Sequence, residues 1–180
     1  MTIPNTTVSM TINNELVGPV TVPESLMMIH FLHEYVNLTG TKFGCGAGVC
    51  HACVVIIDKD DGSSEIHRTC ITGVGFFNGK KVRTVEGHAT TNAEGEIIAL
   101  SPVQDAFIKG FSFQCGYCTS GFVNQATVLI ENLKQQPVEI SDVENTILNA
   151  LGEHVCRCTG YVRYYKAMRK LILETPGLTK

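Results

Sequence analysis

All eight cysteines of this chain fall into two unlike quartets, Cys45, Cys50, Cys53 and Cys70 in the first half and Cys115, Cys118, Cys156 and Cys158 in the second. Four thiols per half point to two small units, each stapled at its own centre, rather than one fold round a single core. The opening stretch MTIPNTTVSM has no basic region, apolar run or twin-arginine pair of an export leader. Without an oxidising destination the cysteines read as metal ligands before they read as a disulfide framework.

No segment approaches the ~18 consecutive apolar residues of a membrane span. The chain is therefore expected to be soluble and cytoplasmic, or periplasmic by co-export with a signal-bearing partner. Its net charge of −3 comes without a run of Lys or Arg, which sets nucleic acid aside as a ligand.

Residues 6 to about 85 read as a small β-rich unit. TTVSMTI and LVGPVTV flank the turn-prone Asn13-Asn14 and predict a hairpin. A helix follows in LMMIHFLHEY, with Leu26, Ile29 and Leu32 at helical spacing and Ser25 as its cap. ACVVIID predicts a buried strand, Asp60-Asp61-Gly62-Ser63 a turn and KVRTV a closing strand. That order suits a β-grasp sheet.

Residues 86–100 are polar and carry glycine, so the boundary between the units is placed there. Beyond it the pattern is helical. Ser101-Pro102-Val103-Gln104 predicts a capping box with proline at the first helical position. A second helix is expected to start at Thr119 or Ser120 and end before Pro137, and a third to open on a capping box at Ser141–Glu144. YVRYYKAMRKLIL supplies the fourth. The fold class expected is α+β, with a β-grasp domain at 1–85, a four-helix bundle at 86–180 and residues 86–100 as linker.

Cys45, Cys50 and Cys53 follow C-x4-C-x2-C, and Cys70 closes the set from beyond the strand and turn. This is the spacing of plant-type [2Fe–2S] sites. Gly44, Gly46 and Gly48 let the loop wrap tightly and aim its N–H groups at sulfur. A zinc knuckle is the alternative, and it matches poorly because zinc hooks are paired and need no such glycines. In the second half, Cys115-Gly-Tyr-Cys118 lies between the first and second helices and Cys156-Arg-Cys158 between the third and fourth. Such junctions can converge at one end of a bundle, near helix N-termini that favour negative charge. The C-x2-C pair alone would equally suit a redox dithiol or a zinc site.

Together FGCGAGVCHAC, QCGYCTSGF and HVCRCTGY resemble, in order, spacing and flanks, the small iron–sulfur subunit of the xanthine oxidase family of molybdenum hydroxylases. The resemblance runs from about residue 8 to about 172. It implies a plant-type ferredoxin domain, a helical domain with a second [2Fe–2S] cluster, and a large partner subunit carrying molybdopterin in its cytosine dinucleotide form. That subunit would oxidise an aldehyde or N-heteroaromatic carbon. Electrons would then pass to FAD or haem in a flavin or cytochrome c subunit. It also implies that Gln114 and Cys158 touch the pterin, although Gln114 could as simply cap the preceding helix.

Two positions depart from the family pattern: His51 stands where glycine is usual and Ser120 where proline is usual. His51 is expected as an exposed loop histidine and Ser120 as a helix cap. The remaining histidines, His30, His33, His67, His88 and His154, are scattered without metal-like spacing. Tyr161, Tyr164 and Tyr165 offer either a partner face or helix core.

No acid, base or nucleophile stands out as catalytic, so the chain alone is expected to perform no bond chemistry. Its expected work is one-electron relay through two clusters with potentials in the ferredoxin range, roughly −400 mV before tuning. A freestanding two-cluster carrier is the rival reading, and a zinc-stabilised adaptor the second.

Overall fold

The computed structural model describes residues 3–180 and is a mixed α+β structure, a sheet-bearing ferredoxin-like part followed by a helical part. Strands β1 (Asn5–Ile12) and β2 (Glu15–Pro23) form the expected hairpin. Asn13 and Asn14 both adopt positive φ, 50° and 70°, the conformation that a tight two-residue hairpin turn requires and asparagine tolerates. Along β1, Val8, Met10 and Ile12 are buried and their neighbours are not, as the alternation of a half-covered strand dictates.

The remaining strands of this sheet are β3 (Val54–Asp58), β4 (Ser64–Arg68) and β5 (Lys81–Arg83), in the spatial order β2-β1-β5-β3-β4. β5 runs parallel to β1 and antiparallel to β3. One face of the sheet packs on helix α1 (Met28–His30) and its wider final turn Phe31–Tyr35, through Met28, Phe31, Leu32, Val55 and Ile57. Val54 to Ile57 are all buried. Both faces of β3 are covered, which is why its sequence is a continuous apolar run rather than an alternation.

Ser25 does not cap α1. The helix begins at Met28 after Met27, with no side-chain cap, because residues 23–27 are drawn into a turn and a bridge: Leu26 N–H donates to Pro23, Val74 N–H donates to Leu26, and Met27 bridges Gly73.

The stretch read from sequence as a boundary is built. It carries a short helical turn at Val85–His88 and a small hairpin of β6 (Thr90–Thr91) and β7 (Ile97–Ala99). Four helices follow: α2 (Pro102–Lys109), α3 (Thr119–Gln135), α4 (Val143–Leu151) and α5 (Val162–Glu174). The Ser101 capping box forms as expected, its hydroxyl accepting from Gln104 N–H and the Gln104 side chain accepting from Ser101 N–H. The Ser141 box does not form. Ile140–Asp142 is itself a helical turn, so Ser141 lies inside the turn, and Glu144 pairs with Arg169 on α5 instead of reaching back.

Helix α3 is central. Phe122, Val123, Ala126, Leu129, Ile130 and Leu133 meet Val103 and Phe107 of α2, Ile147 and Leu151 of α4, and Tyr164, Met168 and Ile172 of α5. Its opposite side lies across β3 and β4, where Asn124 donates to Val54 O at 2.6 Å and Ser64 Oγ donates to Glu131 Oε2 at 2.6 Å. No described helix is long and apolar enough to cross a membrane.

Candidate metal centres

Each quartet divides into two pairs of neighbouring thiols. In the first, the Cys50 side chain helps lower the Cys45 thiol and the Cys70 side chain helps raise Cys53. In the second, Cys158 Sγ lies 3.4 Å from Cys115 Sγ, and the Cys156 side chain helps raise the Cys118 thiol. Among the described residues no three His, Cys, Asp or Glu side chains converge on a single ion. Thiols grouped two and two suit two irons, two thiolates to each, whereas one tetrahedral zinc takes four sulfurs at one point.

Cys45, Cys50 and Cys53 sit on the loop between α1 and β3, and Cys70 follows β4. The sulfur of Cys45 accepts N–H bonds from Ala47, Val49 and Cys50 at 3.3–3.4 Å. Those N–H dipoles, Ala47 and Cys50 foremost, hold the Cys45 thiol down at about 6, so it is ready as a thiolate. Gly44 permits the fold of the loop, since a Cβ there would stand 2.7 Å from Cys50 Sγ. Burial instead pushes Cys53 up to about 12. A thiolate there is stabilised by a cation, which is the role an iron centre would fill.

The second quartet lies where the α2–α3 and α4–α5 connections meet. Cys118 is the N-cap residue of α3 and is buried, while Cys115 and Cys158 are exposed. Burial raises Cys118 to about 12. Cys156, also buried, is held below its usual value because hydrogen bonds led by Thr159, whose Oγ1 lies 3.1 Å from its sulfur, outweigh the desolvation. Thiols of both quartets, Cys45 and Cys50 with Cys115, Cys118, Cys156 and Cys158, line one cleft of about 360 Å³. Larger grooves lie elsewhere, along α2/α5, beside Tyr161 and at Ile97–Leu100, and touch no cysteine.

The two centres are bound to each other through the main chain. Val155 N–H donates to Cys50 O at 3.1 Å, Ser120 Oγ donates to Ala52 O at 3.2 Å, and Tyr117 OH donates to Phe43 O at 2.5 Å. Ser120 is thus no helix cap; its hydroxyl ties α3 to the first loop.

His51 is not an exposed loop histidine. It is 4% exposed, with φ +60°, and the left-handed backbone explains why glycine suits this position. Its ring meets His154 edge-on at 5.1 Å, and Nε2 lies 3.4 Å from both Arg68 and Glu153. Burial lowers both imidazoles, His154 to about 3. His154 behaves as an aromatic ring, stacked on Phe122 at 4.4 Å, with neither nitrogen hydrogen-bonded.

Gln114 lies in the exposed α2–α3 connection beside Cys115. It does not cap α2, which ends at Lys109 with Gly110 as its C-cap. The sequence reading missed Asn124, His88 and the pair Arg83–Glu131, which join the sheet to the helices. His88 Nε2 lies 2.6 Å from Asn124 Oδ1, and Arg83 bonds both Asp58 and Glu131. One signal was available: Asn124 interrupts the apolar run of α3, and a buried amide demands partners.

Two family models match the chain, "2Fe-2S iron-sulfur cluster binding domain" over residues 15–74 and "[2Fe-2S] binding domain" over residues 84–169. Each spans one cysteine quartet. The nicotine 6-hydroxylase small subunit of Paenarthrobacter nicotinovorans is 37% identical over 141 residues, covering 78% of this chain and 72% of that protein. Aldehyde oxidase 1 of Rattus norvegicus is 35% identical over 155 residues, but the match spans only 11% of its length. Among solved structures, quinoline 2-oxidoreductase from Pseudomonas putida 86 superimposes with a TM-score of 0.77 at 29% identity, covering 97% of this chain and 93% of that one. The chain carries two [2Fe–2S]-binding domains and belongs to the family of iron–sulfur subunits of the xanthine oxidase type of molybdenum hydroxylases.

Proposed function

We propose that the chain is the electron-transfer subunit of a molybdenum hydroxylase complex, relaying electrons from molybdopterin in a large subunit to a flavin or haem acceptor. In this reading Cys45, Cys50, Cys53 and Cys70 hold one [2Fe–2S] cluster and Cys115, Cys118, Cys156 and Cys158 the other. A bound [2Fe–2S] cluster supplies reversible one-electron reduction. The observation that carries the reading is that Cys45 and Cys50 of the first quartet line one cleft with all four thiols of the second, where Cys158 Sγ lies 3.4 Å from Cys115 Sγ.

The chain's own residues do three things. Main-chain N–H groups and hydroxyls stabilise thiolates before any metal arrives, at Cys45 and Cys156. The Val155–Cys50 hydrogen bond fixes the spacing of the two loops and offers a short bonded route between them. Exposure decides the ends. Cys115 and Cys158 are exposed, and Phe111 and Phe113 are exposed on the same α2–α3 connection as Cys115; this apolar rim would suit the large subunit, and Gln114 and Cys158 would contact its pterin, in its cytosine dinucleotide form. Cys45 faces outward among Phe43, Val49 and Ile71, the side for an FAD or cytochrome c subunit.

The proposed division is a β-grasp ferredoxin domain at 1–85 and a four-helix bundle at 86–180, with 86–100 as the connection. The substrate of the complex would be an aldehyde or N-heteroaromatic compound, bound outside this chain. The test is isolation of the chain with its native partners, followed by iron, sulfide and molybdenum analysis and paramagnetic resonance after reduction. Two distinct [2Fe–2S] signals and a molybdenum-bearing partner are expected. A colourless protein holding zinc overturns the reading, and a two-cluster chain running alone in its native extract makes it a freestanding carrier.

A further inference from the structure

Tyr164 is the largest fully buried side chain among the described residues and lies in the helical core where it borders the second quartet. Its ring stacks on Phe122 at 4.0 Å and meets Phe107 edge-on at 5.0 Å. Those contacts leave the ring little freedom and aim its hydroxyl at the start of α3. There the oxygen lies 2.8 Å from Thr119 Oγ1 and 3.8 Å from Cys118 Sγ.

The direction of these bonds follows from chemistry. A thiolate that ligates iron carries no proton and can only accept. The phenol therefore gives its hydrogen to Cys118 Sγ, and Thr119 Oγ1 gives its own to the phenol oxygen. We propose that the Tyr164 hydroxyl, oriented by Thr119, is a tuning residue that raises the reduction potential of the second cluster by hydrogen bonding to Cys118 Sγ.

The physical reason is the charge balance. Reduction adds an electron to a centre whose sulfurs already carry negative charge, and a donor at sulfur stabilises that more negative state in preference to the oxidised one. In the first quartet the donors to Cys45 belong to the main chain and no side-chain substitution can remove them. At Cys118 the donor is a side chain, so its contribution to the potential of this centre can be removed by a single substitution. The inference rests on the cluster assignment proposed above.

The experiment is potentiometric titration of both clusters in the complete complex, followed by paramagnetic resonance, for Tyr164→Phe and Thr119→Val. Tyr164→Phe keeps the ring and its stacking and removes only the hydroxyl. The expected result is a downward shift of the second cluster's midpoint with the first unmoved, and loss of an exchangeable-proton coupling at the second cluster. Thr119→Val leaves the phenol present but unanchored and gives a smaller shift in the same direction. An unmoved or raised second midpoint overturns the proposal, as does an equal shift of both midpoints, which would mark a purely structural effect. Should Tyr164→Phe fail to assemble, the Thr119→Val midpoint decides by the same criteria. Cys118→Ser separates the two levels: survival of both signals in that variant overturns the cluster assignment itself, whereas an unmoved midpoint in Tyr164→Phe overturns the phenol's role alone.

Discussion

The main-chain N–H of Val155 donates to the carbonyl oxygen of Cys50 across 3.1 Å, so the residue preceding one thiol of the second quartet is bonded to a thiol-bearing residue of the first. Neither loop can move without the other. Two centres that lie on separate elements in sequence thereby keep a fixed separation, which is what transfer between them demands.

The quartets nonetheless remain chemically separate. Cys45→Ser removes a thiolate from one set only, and Cys115→Ser from the other. Each substitution is expected to abolish one paramagnetic signal on reduction and spare the second. Loss of both signals from either change would show that the two sites assemble as one.

Helix α3 and the first loop touch without spare room. A Cβ on Gly121 would stand 2.1 Å from His51 O, a main-chain atom that cannot swing aside. Gly121→Ala is expected to lower stability by about 2–3 kcal/mol and to perturb both centres. Gly75→Ala, where a Cβ meets nothing within 4 Å, is the control and should stay within about 0.5 kcal/mol. Denaturant titration of the two variants measures the difference.

Acid should loosen the joint between sheet and helices in two stages. Burial holds His88 below its ordinary 6.5, so the unfolded chain binds a proton before the folded one does. Its contribution is full above 6.5 and is lost as pH falls from there towards its folded value. Glu131 loses stability to burial, but its bonds to Arg83 and Ser64 more than offset this and hold it below 4.5. Its contribution is therefore present above 4.5 and lost as pH falls through the folded value. His88→Gln, which keeps an amide for Asn124, should remove the upper stage of an acid titration of stability. Glu131→Ala should remove the lower stage and cost about 1–2 kcal/mol at neutral pH, because Arg83 loses one of its two carboxylates in a half-buried site.

Stripping the metal should act locally first. Without a centre to wrap, the loop from Thr41 to Cys53 and the connection from Gln114 to Cys118 lose their organising ligand. Limited proteolysis after chelation under reducing conditions is expected to cut within these two segments before it reaches α3, whose Phe122, Ala126 and Leu129 are buried on several sides. Early cleavage inside α3 would show that the metal centres hold up the whole fold.

Several features were legible because they are local. The hairpin turn at Asn13-Asn14, the Ser101 capping box and the limits of α3 are each set by residues a few positions apart, whose backbone preferences act before any long-range contact forms. The spacing of Cys45, Cys50 and Cys53 is of the same kind, since it sets three thiols on one short loop. Sequence thus determined the order of sheet then helices, the two sets of four cysteines and, through three matching motifs, the family, but not the β6–β7 hairpin within 86–100.

Tertiary packing decided the rest. Ser25 and Ser141 have the residue type of caps, yet a bridge to Gly73 and an ion pair with Arg169 placed their turns elsewhere. His51, Ser120 and His154 read as bland surface or cap residues and are buried because α3 lies against the first loop. That contact joins residues about 70 positions apart, and no local preference encodes which face of a helix will meet which strand. The hydroxyl of Tyr164 reaches Cys118 for the same reason: only the closing of α5 onto α3 brings a phenol and a thiol from distant turns of chain into hydrogen-bonding range.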